Sequence, residues 1–379
     1  MSDNIRRHPI NVGQAQIDDL RQRLKHTRWV NKETTDDWSQ GIPLAYMREI
    51  HQTWLEDYDW RACEDKINAA GSFMTTIMDL DIHFLHVRSP HEGARPLILT
   101  HGWPGSILEF LKVIPLLTDP VLHGGSPEDA YHLVIPSIPG FGFSGKPTGT
   151  GWPVERMAQA WAELMARLDY DKYFAQGGDW GSLITTKLGQ ADPEHCIGVH
   201  INFIIALPDE TMLADATPDE QARLVQFGEH RKWGSGYSRQ MGTRPQTLGY
   251  GLVDSPIGQA AWILEKFHAW SDCDGHPENA LTRQELLDNV MIYWLTASAG
   301  SSGRIYWESL SNFVATEFNL PLGASIFKVD IIRSTRRWAE QWYKNIIFWA
   351  DHDQGGHFAA FEKPEMFVND LRKCFGQIR

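Results

Sequence analysis

What the sequence has little of narrows the field first. Of its 379 residues only four are cysteines, Cys63, Cys196, Cys273 and Cys374, far apart and without a C-x-x-C pair. Neither zinc ligation nor a disulfide framework is indicated, and reduced thiols in a cytoplasm fit best. No apolar run approaches the ~18 residues that a membrane span requires, and Met1 leads into Ser-Asp-Asn-Ile-Arg-Arg-His rather than an apolar secretion signal. The chain therefore reads as soluble and unprocessed. Positive charge is in deficit: 35 Lys and Arg against 48 Asp and Glu leave a formal charge of −13. Nucleic acid and anionic membrane surfaces would be repelled over much of the molecule, whereas a small neutral substrate would not. Repeats and low-complexity tracts are missing as well.

What is present is a large reserve for a core. With 42% hydrophobic residues, the chain can form one big domain or two to three smaller ones. Its most specific string is Gly177-Gly178-Asp179-Trp180-Gly181, which has the form of a nucleophile elbow with aspartate in the nucleophile position. Gly-Gly-Asp is also an ordinary turn sequence, but the context supports the elbow. Tyr173-Phe174-Ala175 reads as a strand entering it, and Ser182 to Leu188 as a helix leaving it. A carboxylate is anionic at neutral pH, attacks carbon without a base, and leaves an ester that water can hydrolyse. Serine attacking an alkyl carbon would leave an inert ether. An aspartate elbow thus points to displacement at saturated carbon, such as opening an epoxide or expelling a halide.

Along the chain, Ile17, Leu20 and Leu24 at helical spacing and a second helical stretch from Met47 to Leu55 come before any strong strand. A hairpin follows from Phe73 to Arg88, with its turn near Asp79 and Asp81. Buried strands at Leu97–Thr100 and Leu133–Pro136 flank a helical stretch from Ile107 to Leu117, and a helix from Val154 to Leu168 precedes the elbow strand. Strands alternating with helices predict a parallel sheet, with binding sites at the carboxyl ends of its strands. From about Leu207 the strand pattern stops for roughly a hundred residues, returning near Phe327 and Ile346–Trp349. That insertion reads as a lid. Its aromatics, among them Trp233, Tyr237, Tyr250, Trp262, Trp270, Tyr293, Tyr306 and Trp307, suit an apolar pocket, most of them packing the lid itself.

His101 to Ser106 follows a buried strand with small residues and is an oxyanion-hole candidate. The donors expected are the backbone N–H groups of Trp103 and Trp180, with His101 a structural hydrogen-bonder. Gly355-Gly356-His357 follows the last strand, so His357 is the candidate base; His352 lacks the glycine pair that would bend its loop toward the elbow. Asp330, Asp351 and Asp353 are all candidates for the acid. Asp330 is favoured because it ends the apolar run Ile326–Val329 and could meet the histidine from a strand's carboxyl edge.

With these residues in view, the chain resembles an α/β-hydrolase of the microsomal-type epoxide hydrolase family over nearly its whole length. Ile10-Asn11-Val12 through Leu20–Leu24 to Thr27-Arg28-Trp29 is similar to that family's N-terminal domain, and Ile82–Val87 to its first core hairpin. His101–Ser106 and Gly177–Ser182 resemble its oxyanion and nucleophile loops. Ser235-Gly236-Tyr237 with Thr243–Thr247, and Arg304-Ile305-Tyr306, resemble the segments that carry two catalytic tyrosines, here Tyr237 and Tyr306. Asp330 matches the relay-acid position, where some members have glutamate, and Gly355–Ala360 with Glu362 and Pro364 the histidine loop.

The resemblance implies an α/β-hydrolase fold: a mostly parallel sheet flanked by helices, with an N-terminal helical extension (1–72), a core (73–206 and 311–379) and a helical lid (207–310). It implies a soluble, bacterial-type member, since the hydrophobic anchor of membrane-bound relatives is not seen. Asp179 would open an epoxide, assisted by Tyr237 and Tyr306, and His357, oriented by Asp330, would activate water on the ester to give a vicinal diol. No metal or organic cofactor is called for; the partners expected are a small hydrophobic epoxide and water, with a homodimer fitting the base rate for soluble enzymes. A haloalkane or haloacid dehalogenase and a catalytically silent ligand-binding protein are the rival readings.

Overall fold

Apolar runs such as Leu97-Ile98-Leu99 and Leu133-Val134-Ile135 are inaccessible to solvent, as expected of strands covered on both faces. In the computed structural model, which describes residues 5–310 and 316–378, they sit in the middle of a nine-stranded sheet. The strands in chain order are β1 (Arg6–Arg7), β2 (Ser72–Ile77), β3 (Leu80–Val87), β4 (Arg95–Thr100), β5 (Tyr131–Pro136), β6 (Tyr173–Gly177), β7 (Cys196–Ile201), β8 (Leu322–Ile326) and β9 (Ile346–Asp351). Their spatial order is β1-β2-β3-β5-β4-β6-β7-β8-β9. The strands from β4 to β9 run parallel, and β1, β2 and β3 extend that sheet by antiparallel pairing. Met78 and Asp79, both at positive φ, turn the chain between β2 and β3, as a tight hairpin matched to strand twist requires.

Side chains alternate along each strand, and β6 shows how this builds two helical layers. Phe174 stacks on Phe375 of the helix Pro364–Phe375, with ring centroids 4.4 Å apart. The other face of β6 meets the helix Trp180–Ala191, so close that a Cβ on Gly177 would lie 2.0 Å from the Gly181 carbonyl oxygen. Between β7 and β8 the described chain is helical, running from Glu210–Ala214 to Arg304–Ser309 without a strand.

Several expectations need correction. The stretch from Ile107 to Leu117 is a short 3₁₀ turn, Ile107–Phe110, and a separate helix, Val113–Thr118. Pro115 has no N–H to donate and its ring would clash with the carbonyl four residues back, so a helix has to begin within the turn before it. The helix after the elbow starts at Trp180, two residues earlier than Ser182. β8 ends at Ile326, so Asp330 lies beyond the strand; Val329 instead bridges to Gly356. The helix Trp60–Ala69, capped by the Asp59 side chain, and the short strand β1 escaped the periodicity reading. Trp233, Tyr250 and Trp307 pack neither pocket nor lid: they are 75%, 69% and 47% exposed. On the helix Pro245–Asp254, Gly249 and Leu252 face inward and Tyr250 faces solvent. The second core segment expected from 311 starts in residues 311–315, which, like 1–4 and 379, lie outside those described.

Candidate active site

The elbow owes its shape to residues without side chains. Asp179 sits at φ 50°, ψ −127° as the N-cap of the helix Trp180–Ala191, a conformation a non-glycine residue holds only under strain. A Cβ on Gly181 would meet the Thr100 carbonyl oxygen at 2.0 Å, and one on Gly102 would meet Asp179 Oδ1 at 2.2 Å. The turn is thereby packed against the end of β4, with the carboxylate raised above the sheet edge.

The loop after β4 supplies the first hydrogen-bond donor: the Trp103 backbone N–H donates to Asp179 Oδ1 at 2.8 Å. Trp180, at the first position of its helix, has an N–H that the helical ladder cannot satisfy. The loop itself is pinned by the helix Arg283–Leu295. Ser106 Oγ donates to Asn289 Oδ1, Asn289 Nδ2 to the Pro104 carbonyl and Tyr293 Oη to the Gly105 carbonyl, each at 2.8 Å. His101 is structural: its Nδ1 lies 2.9 Å from the Gly102 carbonyl and its Nε2 accepts from Ile138 N. Burial depresses its pKa to about 4, keeping the ring neutral.

His357 reaches the elbow from the opposite side. Gly355 takes φ +82°, and Gly356 leaves room for the insertion: a Cβ there would lie 2.4 Å from the Trp270 carbonyl oxygen, which instead accepts the His357 N–H at 2.8 Å. The imidazole Nδ1 is 2.6 Å from Asp330 Oδ1, and Nε2 is 3.3 Å from Asp179 Oδ2 without hydrogen-bond alignment. Burial alone would lower the His357 pKa; Asp330 and then Asp179 outweigh it and hold the ring well above the ordinary value. Burial raises Asp330, against the pull of His357. Its rivals are elsewhere: Asp351 pairs with Arg223 and Arg333, and Asp353 is exposed. His352 is engaged by Asp370 at 2.6 Å.

Tyr237 and Tyr306 close the site from above, buried against each other with ring centroids 5.8 Å apart. Tyr237 stacks on Trp103 at 5.1 Å, and Tyr306 meets Trp180 edge-on at 4.8 Å. Burial and the nearby Asp179 raise the pKa of both phenols, so both are protonated at neutral pH. A cavity of about 400 Å³ is lined by Asp179, Tyr237 and Tyr306 and walled by Leu183, Phe203, Phe227, Ile331 and Ile332. Of the seven residues expected to carry the chemistry, Asp179, Trp180, Tyr237 and Tyr306 line this space, while Trp103 and His357 adjoin Asp179 and Asp330 backs His357. The site holds a fixed anion, an acid–base pair, two phenolic donors and apolar walls.

Sequence reasoning missed Asn289, the loop-pinning role of Tyr293, the apolar walls and the buried acid Glu109. Glu109 lies against the loop after β4, and burial pushes its pKa up to about 8. Ser106, three residues earlier, is the cap of its turn. The other residues become neighbours only through tertiary packing and leave no local signal.

Comparison with known proteins agrees with this geometry. Residues 5–110 match the epoxide hydrolase N terminus and residues 95–230 the alpha/beta hydrolase fold. A protein of Stigmatella aurantiaca, provisionally named an epoxide hydrolase, is 52% identical over 98% of this chain and 84% of its own length. Epoxide hydrolase 1 of Oryctolagus cuniculus is 35% identical over 99% of this chain and 90% of its own. The epoxide hydrolase structure from Aspergillus niger superposes with a TM-score of 0.90 at 31% identity, covering 100% of this chain and 97% of that one. In sequence, family model and fold alike, the chain belongs to the epoxide hydrolase family of α/β-hydrolases.

Proposed function

We propose that this protein hydrolyses small hydrophobic epoxides to vicinal diols through a covalent ester on Asp179. The observation that carries the reading is one carboxylate held by the Trp103 N–H at 2.8 Å, with a buried histidine 3.3 Å from its other oxygen and two protonated phenols across an apolar cavity. In the first step Asp179 attacks an epoxide carbon while Tyr237 and Tyr306 hydrogen-bond the ring oxygen and one supplies its proton. An alkoxide is basic enough to take a proton from a phenol of pKa about 10 or higher. In the second step His357, oriented by Asp330, removes a proton from water as it attacks the ester. The N–H groups of Trp103 and Trp180 stabilise the oxyanion. Helices of 207–310 contribute Tyr237, Tyr306 and the Trp270 carbonyl, which supports their role as a lid; the four buried, free cysteines support a reducing, cytoplasmic setting.

Halide expulsion calls for N–H donors around an anion, whereas epoxide opening calls for acidic O–H groups, and two phenols over one carboxylate favour the epoxide. The test is intact-protein mass spectrometry of His357→Gln with a panel of epoxides and bromoalkanes. A gain equal to the epoxide, mapped to Asp179 and lost in Asp179→Ala, is expected. An alkyl adduct with bromide release would make the protein a dehalogenase. No adduct from an epoxide that the wild type consumes would end the ester mechanism.

A further inference from the structure

The helix Pro256–Trp270 buries Gln259, Ile263, Phe267 and Trp270, and in the same face it buries a lysine. Lys266 is 6% exposed. A buried ammonium is costly where an apolar residue of similar volume would pack, so the position asks for another explanation. Its Nζ lies 4.7 Å from the centroid of the Tyr237 ring and 5.8 Å from that of Trp270. Its carboxylate partner is the neighbouring Glu265. Among the described residues no cation lies over the Tyr306 ring, whose neighbours are Trp103, Trp180 and Tyr237.

We propose that Lys266 is a positioning residue that makes Tyr237, rather than Tyr306, the proton donor in epoxide opening. This rests on the ester mechanism above. As the bond from Asp179 to the epoxide carbon forms and the carbon–oxygen bond of the ring breaks, the phenolic proton of Tyr237 passes to the leaving oxygen and a phenolate remains. The ring of a phenolate is more electron-rich than that of a phenol, so a cation above it stabilises the charged product more than the reactant. In a desolvated site this attraction is strong. Tyr306 has no such cation among the described residues, and its part is to orient the ring oxygen by hydrogen bonding. When water cleaves the ester and Asp179 is released, the proton set free returns to the phenolate, closing the cycle. The ammonium acts through the Tyr237 ring and is not itself among the cavity-lining residues.

The test is stopped-flow measurement of ester formation, followed through the tryptophans around the site, with ester hydrolysis recorded separately. Lys266→Met should slow ester formation roughly ten- to thirtyfold, the size of a desolvated cation–π contact, and leave hydrolysis within about twofold. Lys266→Arg should restore most of the rate; Lys266→Gln serves if the methionine variant does not fold. Lys266→Met should slow a Tyr306→Phe enzyme by the same factor and add nothing to a Tyr237→Phe enzyme. The inference is overturned if Lys266→Met has no effect, slows every background alike, or slows hydrolysis as much as ester formation. Failure of the underlying mechanism would look different: no ester would then form in any of these backgrounds.

Discussion

Gly102 has no space for even a methyl group, because a Cβ would stand 2.2 Å from the carboxylate oxygen that Trp103 N–H holds. Gly102→Ala must therefore move either the loop or Asp179, and a displacement near 1 Å at a reacting atom costs about 10²-fold in rate. We expect kcat/KM for an epoxide to fall by about that factor, measured alongside a thermal melt; an alanine enzyme of wild-type activity would mean the elbow is far more yielding than its packing indicates. The elbow glycines and Asp179 were legible in the sequence because their spacing is local and each residue type has a steric or chemical reason to be there. Lys266 was not, since its partner ring is set by two helices meeting. Asp330 does lie 2.6 Å from His357, but the reason read from the sequence is partly mistaken: it hangs from a bridge between Val329 and Gly356, not from a strand end.

Among the elements, the loop and 3₁₀ turn from His101 to Phe110 carry an electrostatic burden. Glu109 is packed against Gly105, and its pKa is pushed to about 8 from an ordinary 4.5 by burial. The folded state thus binds this proton more tightly than the unfolded chain does. Stability from the protonated acid is complete below about 4.5, declines as pH rises, and is lost through about 8. Glu109→Gln cannot ionise, so the melting temperature of the wild type should fall relative to the variant across that window; parallel curves would contradict the assignment. Periodicity reads Ile107 to Leu117 as one helix, and it reads strands β4, β5 and β6 well, since these are short buried runs. It fails where a proline resets a helix and where β1 borrows its two residues from a polar segment.

At the scale of the molecule, the N-terminal helices brace the insertion. Tyr58 Oη donates to Asp288 at 2.8 Å, the Trp54 indole N–H points to Met291 Sδ at 3.2 Å, and Arg23 binds Asp254. Asp288 belongs to the same helix as Asn289 and Tyr293, which hold the loop after β4. Tyr58→Phe would strip a partner from a buried carboxyl group, at a cost of about 1–3 kcal/mol. Its predicted signature is a lower melting temperature and faster hydrogen exchange in Arg283–Leu295, together with reduced turnover far from the substituted residue. Unchanged exchange in that helix would separate brace from loop. Composition could not show this arrangement, because none of the contacts is near in sequence. The elbow also bears on what an enzyme molecule is from one cycle to the next. On the proposed mechanism water attacks the carbonyl carbon of the Asp179 ester, so an oxygen from the side chain would depart in the diol and one from solvent would take its place. The carboxylate that greets each new epoxide is then partly made of water from the turnover before, and the protein is a reagent that its own second step rebuilds.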